Sequence, residues 1–379
     1  MKIALSADCF YPAQLGGPSN AIYWQAKALQ RIGHRVTVVA TSYGLPSDTP
    51  VDRWLIMDCG RVIYTKNPHF YLPVKHIWYG WQAIRNADIV HVNSLFYPAS
   101  IIWILMSRFA GKPTVWSPHG ELSPTALRFR PCLKKVLLKL FRRVSQTVCF
   151  HATSLAELTN IQQHFGTDLP VIKIANRMEL PPLAERNPQP YLLFMGRLHP
   201  IKAIDRLLMA LSRSKQFQES NYLLLIAGPA PDKAYQQTLM KLSQELGLSA
   251  KVVFVGQVEG QHKERLYANA YVTLLPSHSE NFGNVVIESL AQGTPVITST
   301  GTPWQSLITE KAGNWVDNEP EALHEAMDKF LRLPPEQYEI YRINALALAR
   351  REYNVFTGIH LWERLYESRL QNHKSNPRG

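Results

Sequence analysis

The chain has 379 residues, 46% of them hydrophobic and 18% charged, which suits a folded protein of two domains of about 150 to 200 residues and excludes a disordered chain. The formal net charge of +12 favours anionic partners such as phosphates, acidic lipids or nucleic acid. The apolar run behind Met1 is too short for a signal peptide, Ile101 to Met106 falls far below the ~20 apolar residues of a membrane span, and Cys9, Cys59, Cys132 and Cys149 lack metal-ligand spacing, as expected of reduced thiols in a cytosolic chain.

In chain order, β-rich runs at Ile3 to Ser6, Arg35 to Ala40, Ile89 to Val92, Thr114 to Ser117, Thr147 to Phe150 and Val171 to Ile174 alternate with helical patterns up to about residue 175. A second series follows at Tyr191 to Met195, Tyr222 to Ala227, Val252 to Val255, Val272 to Leu275 and Pro295 to Thr298. Each series predicts a parallel sheet with helices on both faces, hence an α/β class of two doubly wound, Rossmann-like domains. Residues 176–190, rich in proline between Glu179 and Pro190, predict an exposed linker. Ligands of such sheets bind at the carboxyl ends of strands, so two of them are expected to face each other across a ligand-binding cleft.

The loop after the first strand carries Gly16 and Gly17, which permit a tight turn with backbone N–H groups exposed, before a helix over about Ala21 to Ile32. His119 follows the Thr114 to Ser117 strand beside Gly120; Glu121 and the post-strand His151 are its alternatives for a polar contact. A helix then places Leu133, Val136, Leu137, Leu140, Phe141 and Val144 on one apolar stripe, with Lys134, Lys135, Lys139, Arg142 and Arg143 opposite and Arg128 and Arg130 upstream. This 128–143 basic helix is either a solvated face or one that meets anionic headgroups without insertion.

In the second half, Arg197 and Lys202 lie five apart on the loop after Tyr191 to Met195, where two cations can straddle a diphosphate and neutralise a leaving group. Val258 follows the strand-and-glycine run Val253 to Gly256. After Val272 to Leu275, Glu280 falls in a loop and Glu288 about one turn into a helix that starts near Gly283 and ends at Gly293. A helix N-terminus can seat a diphosphate, and carboxylates around it can accept hydrogen bonds from sugar hydroxyls.

The run Glu280-Asn-Phe-Gly-Asn-Val-Val-Ile-Glu288, continuing to Gly293-Thr-Pro-Val296, resembles the E-x(7)-E signature of the retaining GT-B glycosyltransferases of group 1 (family 4), with Ser289 where alanine is usual. Gly196-Arg197 to Lys202 resembles that family's G-R-x-x-x-x-K-G element, with Ala203 in place of the glycine. The resemblance spans nearly the whole chain and implies a GT-B fold of residues 1–175 plus 351–379 and residues 191–350, the segment Tyr353 to Leu370 crossing back onto the first domain. It implies that Glu280 holds donor-sugar hydroxyls and Glu288 ribose hydroxyls, that backbone at Asn281, Phe282 and Gly283 approaches sugar and phosphate, and that Gly16, Gly17 and Val258 line the donor. It also implies that His119 lies by the sugar. Pro118-His-Gly120 and Gly301-Thr-Pro-Trp304 are similar to runs in members of capsule, O-antigen or exopolysaccharide assembly, which makes a lipid-linked acceptor the expected one.

No G-x-G-x-x-G follows the first strand, and no P-loop or D-x-D triplet occurs, so no cofactor or metal is expected besides a UDP-, GDP- or ADP-sugar as co-substrate. Two alternatives stay open. One is a nonhydrolysing nucleotide-sugar epimerase; the other is a basic nucleic-acid-binding protein, disfavoured because the charge reads as dispersed and no recognition motif appears.

Overall fold

A computed structural model describes residues 1–13 and 17–375. The chain falls into two compact units, Met1–Glu179 together with the residues from Val355 onward, and Leu180–Asn354.

The first unit is built on β1 (Lys2–Ala7), β2 (Arg35–Thr41), β3 (Trp54–Met57), β4 (Gly60–Thr65), β5 (Ile89–Asn93), β6 (Thr114–Ser117), β7 (Val148–Ala152) and β8 (Val171–Lys173). They run in the order β3-β4-β2-β1-β5-β6-β7-β8, parallel except for β3 against β4. Near-continuous apolar runs such as Ile3-Ala-Leu5 fit strands buried on both faces. One face is covered by helices Gly17–Arg31 and His360–Ser375, the other by Val74–Asn86, Pro98–Phe109 and Pro131–Ser145. The β3–β4 hairpin was not anticipated. Its signal is Gly60, at φ 115°, where a Cβ would lie 2.4 Å from the Val36 carbonyl oxygen, so only glycine lets β4 lie this close to β2.

Helix Pro131–Ser145 corrects the expected apolar stripe. Leu138, Phe141, Val144 and Ser145 face the core, whereas Leu133, Val136 and Leu140 are exposed. Helix Gly17–Arg31 begins four residues earlier than its apolar spacing indicated.

The second unit has β9 (Tyr191–Met195), β10 (Leu223–Ala227), β11 (Val252–Gly256), β12 (Val272–Leu275), β13 (Val296–Ser299) and β14 (Gly313–Val316), all parallel, in the order β11-β10-β9-β12-β13-β14. Sequence order reverses direction at β9, with β10 on one side and β12 on the other. Loops leaving β9 and β12 therefore diverge from a single crevice at the carboxyl edge, the position where doubly wound sheets collect ligands. The proline-rich stretch before β9 is tied to this unit: Gln292 accepts from the Ala184 N–H and donates to the Pro182 carbonyl, and Asn269 receives the N–H groups of Asn187 and Gln189.

Candidate active site

The loop after β9 closes as a single turn, Pro200–Lys202, started by the His199 side chain accepting from the Ile201 N–H. Ala203 ends the turn in the left-handed region, at φ 50° and ψ 42°. Alanine there occupies a conformation that glycine enters without a steric penalty. The loop after β12 runs alongside, and the His278 N–H donates to the Ile201 carbonyl at 2.8 Å. This stitch brings Lys202 Nζ onto Glu280 Oε1, which also accepts from Ser277 Oγ at 2.9 Å. Both side chains of the ion pair are mostly buried. Both donors fall on Oε1; among the described residues none is found on Oε2. A buried carboxylate with spare acceptor capacity beside a buried ammonium suits a ligand carrying both hydroxyls and negative charge.

Gly283, at φ 84°, turns the chain into helix Asn284–Ala291. One turn along, Glu288 accepts from Lys263 Nζ at 2.6 Å and from the Tyr267 hydroxyl at 2.9 Å, one donor per carboxylate oxygen. Burial, then the Glu288 charge, hold the Tyr267 hydroxyl firmly protonated, with its pKa well above the usual range. Ser289, the departure from the family pattern, is buried and satisfied, its hydroxyl lying 3.0 Å from the Thr294 carbonyl, to which it donates, and 2.7 Å from the Thr273 hydroxyl, from which it can then accept.

Behind the loop lies a scaffold that sequence reasoning missed. Gly301-Thr-Pro-Trp304 reads as a marker of a family subset, but it shapes the site. The Gly301 carbonyl accepts the Glu280 N–H at 2.9 Å. Trp304 Nε1 donates to the Phe282 carbonyl at 2.5 Å, and its ring meets those of Phe282 and Tyr353. A Cβ on Gly301 would stand 2.4 Å from the His278 carbonyl oxygen and 2.6 Å from that of Ser277.

In the first unit, His119 sits at φ 52° just past β6. Asn93 Nδ2 donates to the Ser6 carbonyl, so its Oδ1 faces His119 Nε2 at 2.8 Å and must receive a proton there. Nδ1 is then an acceptor, buried and without a partner among the described residues. With Ile22, Gln25, His151, Arg177 and Trp362, His119 lines a small pocket within this unit.

The alternatives to His119 have other duties. His151 donates from Nε2 to the Ile174 carbonyl and accepts from Ser117; Ser117 accepts from His91, His91 from Tyr366, and the Tyr366 oxygen from Gln25. His151, Ser117, His91 and Tyr366 each donate one hydrogen bond and accept another, and the chain ties helix His360–Ser375 to β5, β6 and β7. Glu121 accepts from Ser94 Oγ and from the Leu95 and Phe96 N–H groups, fixing the turn after β5.

Two family models account for most of the sequence: Glycosyltransferase Family 4 matches residues 15–176, and Glycosyl transferases group 1 matches residues 178–347. The chain is a GT-B glycosyltransferase of group 1. It is 25% identical over 357 residues to an uncharacterized glycosyltransferase of Methanocaldococcus jannaschii, covering 87% of this chain and 89% of that protein. With a D-inositol 3-phosphate glycosyltransferase of Streptomyces griseus it shares 29% identity over 195 residues, 49% of this chain and 41% of the relative. Among solved structures, sucrose-phosphate synthase from Thermosynechococcus elongatus superposes with a TM-score of 0.75 at 20% identity, over 98% of this chain and 100% of that one. Anabaena HepE in complex with UDP and glucose gives 0.76 at 18% identity, over 97% and 100%.

In the glycosyltransferase, then, Lys202, Glu280, Asn281, Phe282, Gly283 and Glu288 gather around the β9/β12 crevice. Arg197 is exposed on the same loop as Lys202, and Val258 is half-buried on the loop after β11, packed against the Tyr191, Met195 and Tyr267 cluster. Gly17 opens the first helix; Gly16 lies outside the described residues. His119 belongs to the other unit.

Burial holds four histidines of the first unit neutral: His76 and His119 are lowered to about 3, His151 to about 4, and His91 well below 6.5. Asp8 is raised to about 6 and Glu121 to about 7, again chiefly by burial. The histidine pKa values are depressed on folding, so the unfolded chain binds more protons and stability falls as pH drops below about 6.5. The carboxyl pKa values are raised, so their stability is present at low pH and is lost as pH rises through about 6 to 7. Melting temperature should therefore fall from pH 7 to pH 5. His76→Asn should flatten that slope and Glu121→Gln should steepen it; parallel slopes in all three proteins would refute the assignment.

Proposed function

We propose that this glycosyltransferase is retaining and metal-independent, moving a hexose-type sugar from a UDP-, GDP- or ADP-sugar to an acceptor hydroxyl. The acceptor is a lipid-linked oligosaccharide of bacterial capsule, O-antigen or exopolysaccharide synthesis, met at the inner face of the cell membrane. The observation that carries the reading is the buried Lys202–Glu280 pair at the β9/β12 crevice. A crevice offering an ammonium and a carboxylate side by side has one partner for phosphate oxygens and one for sugar hydroxyls. UDP and glucose bound to HepE support a donor of this class.

In this mechanism Lys202 and Arg197 neutralise the diphosphate as the bond from the anomeric carbon to its oxygen breaks, taking the place of a metal ion. Glu280 holds sugar hydroxyls in the geometry of the transition state. The acceptor oxygen attacks from the face the diphosphate leaves, and its proton passes to the departing phosphate oxygen. His119, neutral and with Nδ1 as acceptor, takes a hydrogen bond from a sugar or acceptor hydroxyl. Glu288 accepts ribose hydroxyls on lone pairs that Lys263 and Tyr267 do not use.

The reading is tested by a thermal-shift and nucleotide-release screen over UDP-, GDP- and ADP-sugars. At least one donor should raise the melting temperature and be turned over; if none does either, the reading fails. Glu288→Ala should raise the donor KM by about 10- to 100-fold and leave kcat within a few-fold, because a ribose contact binds ground and transition states alike. A variant with lower kcat and unchanged KM would remove Glu288 from that role.

A further inference from the structure

The positive charge is not dispersed. Residues 59–156 hold 13 lysines and arginines against two carboxylates, Asp88 and Glu121, so nearly all of the net +12 resides in this one segment. Helices Val74–Asn86, Pro98–Phe109 and Pro131–Ser145 contain no acidic residue at all. They pack side by side over one face of the first sheet and share its core.

Their outward surface is apolar where a solvated basic face would be polar. Phe129 is 68% exposed, Val136 65%, Trp78 58%, Leu133 52% and Leu140 48%. Leu133, Val136 and Leu140, spaced three and four apart, form an outer stripe on helix Pro131–Ser145, distinct from the inner stripe of Leu138, Phe141 and Val144. Lys135, Lys139, Arg142 and Arg143 flank the outer stripe and are exposed. The start of this helix is joined to the loop before helix Val74–Asn86, since Arg130 Nη1 donates to the Tyr71 hydroxyl at 3.1 Å. Tyr71, Leu72 and Val74 are themselves exposed.

We propose that this three-helix face docks on an anionic lipid bilayer, with Phe129, Leu133, Val136 and Leu140 entering the acyl boundary while the flanking lysines and arginines contact headgroup phosphates. The argument is complementarity in both respects: aliphatic side chains standing between cations match a surface whose apolar interior begins just below its negative charge. A nucleic-acid groove would satisfy the cations and leave the aliphatic stripe in water; a second copy of this chain would bring like charge against like. The expected contact by headgroups alone is thus revised to shallow insertion. Among the described residues no helix is long and apolar enough to cross a membrane. The inference extends the lipid-linked-acceptor reading and rests on it only for its purpose. The face lies in the unit that carries none of the Lys202, Glu280 and Glu288 set, so failure here and failure of the donor reading are separable by donor turnover measured without membranes.

Cys132 is exposed on this helix, whereas Cys59 and Cys149 are buried and Cys9 is intermediate, so it offers a site for an environment-sensitive label. The full chain, labelled at Cys132, should co-sediment with phosphatidylglycerol-containing vesicles and not with pure phosphatidylcholine, and its emission should shift to the blue and be quenched by lipids carrying a shallow nitroxide. The triple variant Leu133→Ser, Val136→Ser, Leu140→Ser should bind vesicles at least about tenfold more weakly with an unchanged melting temperature. Binding equal to wild type in that variant, or vesicle binding without the emission shift, would overturn insertion. Absence of vesicle binding together with dimerisation, or equal competition by duplex DNA, would overturn the bilayer as the occupant. Charge-conserving Lys135→Arg with Lys139→Arg should bind as wild type, and a loss there would also count against the proposal.

Discussion

Glu280→Gln should lower turnover by about 10²- to 10³-fold while changing the donor dissociation constant by less than about tenfold, the pattern of a contact that strengthens in the transition state. The amide keeps the size of the side chain and can still accept from Ser277 Oγ, so the loop is spared. What it loses is the charge that holds Lys202 and that, in the proposed mechanism, strengthens the hold on the sugar hydroxyls in the transition state. Turnover within about threefold of wild type would mean that Glu280 acts only as a tether for Lys202. Lys202→Ala separates the two outcomes. If the lysine neutralises the leaving diphosphate, its removal should weaken the donor and slow the reaction together, whereas Glu280→Gln should mainly slow it.

Gly301→Ala should destabilise the protein by about 2 to 4 kcal/mol, the range of a close steric insertion, and should also lower kcat of the folded fraction by at least about tenfold. The new Cβ meets the carbonyls of Ser277 and His278, and the Gly301 carbonyl carries the Glu280 N–H. The loop can relieve the clash only by moving the carboxylate. Gly313→Ala provides the comparison: its Cβ would lie 1.8 Å from the Val296 carbonyl oxygen, between β13 and β14. It should depress the melting temperature at least as much without reducing kcat of the folded fraction. If both variants lose stability alone, Gly301 is a packing glycine and the scaffold role is wrong.

What could be read from the residues depended on distance along the chain. Glu280, Gly283 and Glu288 fall within one strand–loop–helix passage, so their placement on a post-strand loop, at a helix start and about one turn into that helix was legible. The contact of Lys202 with Glu280, 78 residues away, was not, because it exists only through β9 and β12 becoming neighbours. The chain from Gln25 through Tyr366, His91 and Ser117 to His151 was hidden for the same reason, and it leaves His151 without capacity for a sugar. Helix Pro131–Ser145 shows a different limit. Its periodicity announced a helix, but apolar residues at 133, 136, 137, 140, 141 and 144 cover too wide an arc to say which edge meets the core. Packing against Trp116 selected Phe141, and the other edge was left outside. The hairpin of β3 and β4 is short and its turn falls on Asp58 and Cys59, a pair with no strong turn signature.

The second unit is one uninterrupted stretch of chain, whereas the first is completed only by residues that follow it. Until helix His360–Ser375 arrives, His91 lacks the Tyr366 hydroxyl, and the surface over Ile22, Ala26 and Leu29 lacks Trp362 and Leu365. On a ribosome, β1 to β8 are therefore made long before they can be closed, and the later unit is free to finish first. Arrival of helix His360–Ser375, rather than synthesis of the first sheet, sets the moment at which that half of the enzyme becomes complete. A chain truncated after Asn354 would display a protease-resistant second half beside a first half still open to cleavage.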